Sequence, residues 1–219
     1  MATFGTVIDR VASELRGRTD LNSAIADALR SAIQHYESYA LPWNQIRDYT
    51  AFTTVAGQRW YSLTTDFVKW VSVKCKFNAA FIPLHPRTLQ WIDEEDTQVT
   101  PSQGTPQFYA IFNNEMRTFP AANGSYTVIG NYLNRSATLT ATASSNGWTT
   151  RGEKLIRARA VADIRANVLH QQAALMEMGV LVQTGETKYL SAREKQAHDS
   201  VLRESRAKSG SGTMRPDYI

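Results

Sequence analysis

Four histidines, a single cysteine and a run of four carboxylates are the residues whose chemistry could reach beyond packing. Nucleophilic catalysis needs a base beside a nucleophile, and metal chemistry needs ligands at a set spacing. His35, His85, His170 and His198 lie on separate segments with no ligand spacing among them, and each reads as a surface or packing residue. No serine sits in a nucleophile elbow, no glycine-rich loop joins a strand to a helix, and no cysteine pair is available for zinc. Cys75, between Lys74 and Lys76, falls in an alternating run and reads as a buried strand residue rather than a reactive thiol. Asp93, Glu94, Glu95 and Asp96 invite a metal. Neither glycine-punctuated spacing nor a nearby histidine supports one, so they read as a solvated loop. The expectation is a protein with no catalytic residues, no cofactor and no metal.

The cations tell a second story. Arg151, Lys154, Arg157, Arg159 and Arg165 fall on one helical segment, and such a face could bind phosphates. The plainer reading is a solvated helix with Glu153 and Asp163 as partners. Trp60 with Tyr61, or Tyr109 with Phe112, could offer bases a stacking platform, although alternating aromatics in a half-buried sheet also form core and interface.

These residues must be carried by a folded body, and composition supplies one. The chain has 219 residues, 42% hydrophobic and 10% aromatic, with a formal net charge of +4. An isoelectric point near 9.2 tolerates nucleic acid nearby without the charge density of a dedicated binder. One cysteine excludes an internal disulfide. There is no basic-then-apolar leader and no apolar run of membrane-spanning length, so synthesis in a cytoplasm and no membrane partner are expected.

The periodicity predicts an α+β chain. Phe4, Val7, Ile8, Val11, Ala12 and Leu15 mark a first helix ended by Gly17. Leu21, Ile25, Ala28, Leu29, Ala32, Ile33 and Tyr36 mark a second, capped by Thr19 or Asp20. Residues 1–44 are thus a helix pair. From Gln45 the period turns to alternation: a strand through Phe52, a turn over Thr53–Gln58, a return strand Trp60–Leu63, and a long strand Phe67–Phe77. Phe108–Phe112, Glu115–Phe119 and Tyr126–Tyr132 read as an antiparallel meander with turns at Asn113-Asn114 and Asn123-Gly124. The β-module spans 45–147. Thr150 and Glu153 form a capping box opening the strongest helix, with Ile156, Ala160, Val161, Ile164 and Val168 on its apolar face. A shorter helix covers about 173–182, and helices 148–208 complete one bundle with the N-terminal pair.

The last stretch fits a self-contained globule poorly. Ser191 and Glu194 stand at capping-box spacing, but the apolar content of the helix they open is thin, with Ala197, Val201 and Leu202 set among charges. A helix polar all round bridges to something else or is unstable alone. Ser209-Gly210-Ser211-Gly212 is a flexible spacer, and Thr213–Ile219 has the look of a docking peptide, with Met214 and Tyr218-Ile219 as anchors around Arg215-Pro216-Asp217.

The run Gly104-Thr-Pro106-Gln-Phe-Tyr109, Glu115-Met-Arg-Thr-Phe-Pro120 and Tyr126-Thr-Val128 with Tyr132 resembles one in head-to-tail adaptor proteins of tailed bacteriophages. The segment Phe52–Leu63 followed by Asp66-Phe67 is similar to the preceding strand pair of those proteins, and the layout of helix pair, β insertion, long helices and protruding C-terminus matches from Phe4 to Ile219. That resemblance implies a virion protein at the head–tail junction: a ring of copies, a dodecamer, bound beneath the portal protein and continuing the channel for packaged DNA. It implies portal binding by the C-terminal helix and tail, at Lys195, Arg203, Arg206, Met214, Arg215, Pro216, Asp217, Tyr218 and Ile219. It places Arg151, Lys154, Arg157, Arg159 and Arg165 at subunit interfaces or the channel. Trp60, Tyr109 and Phe112 would face a tail nozzle or tail fibre protein. The alternative from the residues alone is a nucleic-acid-binding module using the basic helix 151–165.

Overall fold

The computed structural model describes residues 1–98, 100–186 and 188–208. In chain order the helices are α1 (Phe4–Glu14), α2 (Asn22–Glu37), α3 (Leu89–Glu95), α4 (Gly147–Thr150), α5 (Glu153–Asp163), α6 (Gln172–Gln183) and α7 (Ala192–Lys208). The strands are β1 (Gln45–Thr53), β2 (Trp60–Ser62), β3 (Phe67–Phe77), β4 (Ala80–Pro83) and β5 (His85–Pro86), then β6 (Gln103–Gly104), β7 (Phe108–Phe112), β8 (Glu115–Phe119), β9 (Ala121–Ala122) and β10 (Thr127–Asn134). The fold is α+β. Two compact units divide it: Met1–Trp43 with the described residues from Ser136 onward, and Asn44–Arg135. Residues 136–147, which the sequence pattern groups with the strands, belong to the helical unit.

In the helical unit, Phe4, Val7, Ile8, Val11 and Ala12 recur at helical spacing and form the buried face of α1. Thr3 opens that helix, its Oγ1 accepting from the Thr6 N–H at 3.3 Å. Arg16 and Gly17 close it in the left-handed region, and the Gly17 N–H returns to the Ala12 carbonyl at 2.9 Å. A 3₁₀ turn, Thr19–Leu21, leads into α2, which buries Ile25, Leu29, Ala32 and Tyr36. These side chains meet Leu155, Ile156, Val161 and Ile164 of the α5 region in one core. Each such aliphatic group contributes roughly 1.5–3 kcal/mol by leaving water. The cap expected at Thr150 and Glu153 lies instead at Asn146 and Thr149, which exchange side-chain and backbone bonds at the start of α4. Glu153 serves as an ion-pair partner, and α5 begins after Gly152 with no side-chain cap. After Asp163 the hydrogen bonding widens to a π turn over Ile164–Val168. That rotation carries Val168, expected on the apolar face, out to solvent.

In the β unit, one sheet has the order β1-β10-β3-β4 and a second has the order β2-β8-β7-β5. Phe67, Trp70, Val73 and Cys75 of β3 join Met116, Val128 and Tyr132 in the core. The Asn113-Asn114 turn between β7 and β8 forms as expected, both residues at positive φ. Two expected pairings do not. The strand through Phe52 does not return on Trp60–Leu63, because β1 pairs with β10 while β2 pairs with β8. The meander also breaks after β8, since β10 leaves that sheet to lie between β1 and β3. Antiparallel pairing governs the module apart from two short parallel ladders, β5 with β7 and β6 with β9. At Gly130 a Cβ would fall 2.6 Å from both the Trp70 ring and the Ser72 carbonyl oxygen, so the glycine admits the indole.

Candidate functional site

Helix α7 is where expectation and structure part most. Ser191 Oγ accepts from the Glu194 N–H at 3.1 Å, so the cap forms. The Glu194 carboxylate, however, does not stay outside. It is fully buried and accepts from the Leu190 N–H at 2.6 Å, from Arg159 Nη1 at 2.7 Å and from the Tyr36 hydroxyl. Burial and the adjacent carboxylate hold the Tyr36 hydroxyl far above its ordinary value, keeping it a neutral donor. One turn on, His198 is buried with its Nδ1 2.8 Å from the Tyr189 hydroxyl and its ring against Tyr36 and Tyr39. Burial, with Lys188 nearby, pushes His198 below the ordinary imidazole value of 6.5; burial and Arg159 do the same to His35. Burial first, and Asp199 next, raise the Tyr189 hydroxyl to about 12. Ala197, Val201 and Leu202 complete the contact by packing on the helical core. A helix expected to find its fold on another subunit is docked on its own chain.

The cations grouped by the sequence are divided by the structure. Arg159 is bound to Glu194. Arg157 pairs with Glu14 at 2.8 Å and Glu153 at 2.9 Å, and Glu153 also holds Arg10 at 2.6 Å. Arg165 donates to the Glu14 carbonyl at 3.3 Å. Arg151 and Lys154 are exposed, and neither has an ion pair among the described residues. The face predicted for phosphates is therefore mostly an internal clamp. On α7, Lys195 pairs with Glu186 and Arg193 with Glu14, while Arg203 is exposed. The Arg206 side chain and the segment Met214, Arg215, Pro216, Asp217, Tyr218 and Ile219 lie outside the described residues.

The acidic run is not a solvated loop. Thr88 caps α3 by accepting from the Trp91 N–H, and Asp93 and Asp96 reach two arginines from its end. Asp96, with its side chain 3% exposed, lies 3.0 Å from Arg59 and 3.1 Å from Arg117; Asp93 also pairs with Arg117. Arg117 is itself buried, with its guanidinium 5.7 Å from the Trp60 ring. Two of the four carboxylates thus neutralise a buried cation, which outweighs the unfavourable dipole at a helix end. No group of three or more metal-ligating side chains occurs among the described residues.

Apolar exposure marks two other places. Phe112, at the tip of the β7–β8 hairpin, is 60% exposed beside Ile111, whereas Tyr109 is buried and Trp60 half-buried. Of the three residues expected to meet a tail component, Phe112 alone presents an open face; Tyr109 is core because its position faces the sheet interior. The second place is α6. Glu177 is the one charged residue in the helix, and it accepts from the Ala192 N–H at 2.7 Å. Leu175, Met176 and Val180 are exposed. An apolar helix in that position is suited to being covered by another molecule.

Sequence reasoning missed the pairing of Glu194 with Arg159 and of Arg117 with Asp93 and Asp96, because each partner is far away along the chain. The one visible signal was Glu194 at capping distance from Ser191. No helix among the described residues is long and apolar enough to cross a membrane. A search of curated proteins returned no match to the chain. The model of the SU10 adaptor protein family matches residues 2–215, nearly the whole length, and the chain belongs to that family of bacteriophage adaptor proteins.

Proposed function

We propose that the chain is a structural head-to-tail adaptor of a tailed bacteriophage and works by binding rather than by catalysis. Copies close into a ring, a dodecamer, that docks on the portal protein, extends the channel for packaged DNA, and offers a platform to a tail nozzle or tail fibre protein. The chain is made in the host cytoplasm and ends at the head–tail junction of the virion. The family match over residues 2–215 carries this reading. Two surfaces support it: the exposed apolar side of α6 suits a ring neighbour, and Phe112 at its hairpin tip suits a tail component. With α7 held by Glu194, portal recognition falls to its exposed Arg203 and to the segment after Lys208.

The experiment is to measure the mass of the purified chain alone and after mixing with a portal ring, with and without Ser209–Ile219. The full chain is expected to join the portal as a closed set of copies. The truncated chain is expected to stay folded and fail to join portal-containing heads. Normal joining by the truncated chain would defeat the role given to the tail.

A further inference from the structure

Arginines crowd one end of the helical unit. Helix α1 closes on Arg16 and Gly17 in the left-handed region, and Arg18 follows at once. Beyond α5 the chain widens into the π turn that carries Arg165. Such a widened turn is a frequent mark of a functional position. These two bends line an open groove of about 470 Å³, in which Arg16, Arg18 and Arg165 stand with Glu14, Leu15 and Leu169.

The charges there do not cancel. Both oxygens of the Glu14 carboxylate are engaged, one by Arg157 at 2.8 Å and the other by Arg193. Arg165 donates to the Glu14 carbonyl at 3.3 Å, and neither Arg165 nor Arg16 has an ion pair among the described residues. Arg18 is held by Asp20 through Nε and Nη2, at 2.8 Å each. From Arg157 the contacts run on through Glu153 to Arg10. Groove and contacts together set six arginines against three carboxylates, those of Glu14, Asp20 and Glu153.

A surplus of cations laid out in this way fits a linear polyanion better than a single small ion. Guanidinium groups match phosphate oxygens with paired hydrogen bonds, and a phosphodiester chain supplies such oxygens at regular intervals. Leu15 and Leu169 add apolar surface against which a sugar can lie. An acidic peptide would have to order a long side chain for each charge it brings, whereas nucleic acid carries the charge on its backbone.

We propose that this groove binds the sugar–phosphate backbone of nucleic acid, with Arg16, Arg18 and Arg165 as the phosphate contacts. Contacts of that kind fix position without reading sequence. The inference goes beyond the adaptor reading and does not rest on it, since a ring through which DNA passes needs no such groove.

The test measures binding of a short fluorescent DNA duplex to the full chain at several salt concentrations. Three phosphate contacts predict an affinity that falls roughly fortyfold between about 50 and 200 mM salt. Arg16→Gln with Arg165→Gln should weaken binding at the lower salt and cut that fall to roughly three- to fourfold. Arg16→Gln alone, at an exposed position that leaves the fold intact, should lower the salt slope by about one. Lys76→Gln, which removes an exposed cation of β3 outside the groove, should leave affinity and slope as they are. No binding at the lower salt, a slope unchanged in the double variant, or an equal effect from Lys76→Gln would each overturn the proposal. Displacement of the duplex by inorganic phosphate at equal phosphate concentration would overturn it in favour of a small-anion site. Equal displacement by polyglutamate at matched charge would overturn it in favour of an acidic protein partner. Portal joining is not read in this experiment, so its result leaves the proposed function to its own test.

Discussion

Helix α6 is almost wholly apolar and lies half in solvent, whereas α7 is mostly polar and is held in the helical unit by a buried carboxylate. Composition ranks the two in the wrong order for burial. In α7 a few placed groups outweigh the average: Glu194 gathers a backbone N–H, a guanidinium and a hydroxyl, so docking the helix satisfies more polar groups than it strands. In α6 the apolar Leu175, Met176 and Val180 stay exposed, while Leu181 is buried. Helix α7 is fastened by its own chain, and α6 keeps an open apolar side.

The largest expected effect comes from unfastening α7. Glu194→Ala leaves the Tyr36 hydroxyl buried without its acceptor and Arg159 with the Lys188 carbonyl but no counter-ion, and should cost about 3–5 kcal/mol in urea unfolding. Trypsin should also cut faster at Arg193 and Lys195. A loss below about 1 kcal/mol would mean that Ala197, Val201 and Leu202 hold the helix by themselves.

Acid should loosen the same contact to a smaller degree. His35 and His198 are held below 6.5 in the folded chain, so the unfolded chain takes up protons first as pH falls. Stability is then complete above about pH 6.5 and declines below it as the unfolded histidines charge. Urea midpoints between pH 7.5 and 5, taken with and without His198→Phe, check this; the variant should flatten the decline. An unchanged slope would remove His198 from the contact.

The smallest effect on folding, and the sharpest contrast, belongs to α6. Val180→Glu should change stability by no more than about 0.5 kcal/mol, because the position is exposed. It should nonetheless abolish self-association, measured by mass in solution. A large fall in stability with association intact would reverse the roles given to the two helices.

Local pattern carried a good deal of this molecule. The stripes of α1 and α2, the alternation of β3 and the paired asparagines at 113 and 114 are read from neighbours a few residues apart, where backbone geometry decides. Pairing between distant segments was not legible. β1 could as well have returned on β2, and only the structure shows it beside β10, because register depends on which faces meet. The same holds for charge. Asp96 beside Arg117, and Glu194 beside Arg159, bring together residues 21 and 35 positions apart, and nothing local distinguishes them from solvated side chains. Of the candidate site, exposed Phe112 and Arg151 could be named in advance; their neighbours Tyr109 and Arg159 look alike in sequence and turn out to be buried or bound.

The pairing of β1 with β10 has a further consequence. Gln45 lies opposite Leu133, and the Asn134 N–H donates to the Asn44 carbonyl at 2.9 Å, so the β unit starts and finishes at the same spot. Opposed residues of an antiparallel pair sit only about 5 Å apart. For the flanking helices, the 92 residues of Asn44–Arg135 therefore amount to a stitch barely wider than a single bond between two residues, whatever hangs from it. Modules of other lengths can be exchanged at that stitch without lengthening the gap they bridge, which lets one helical frame carry differently shaped heads.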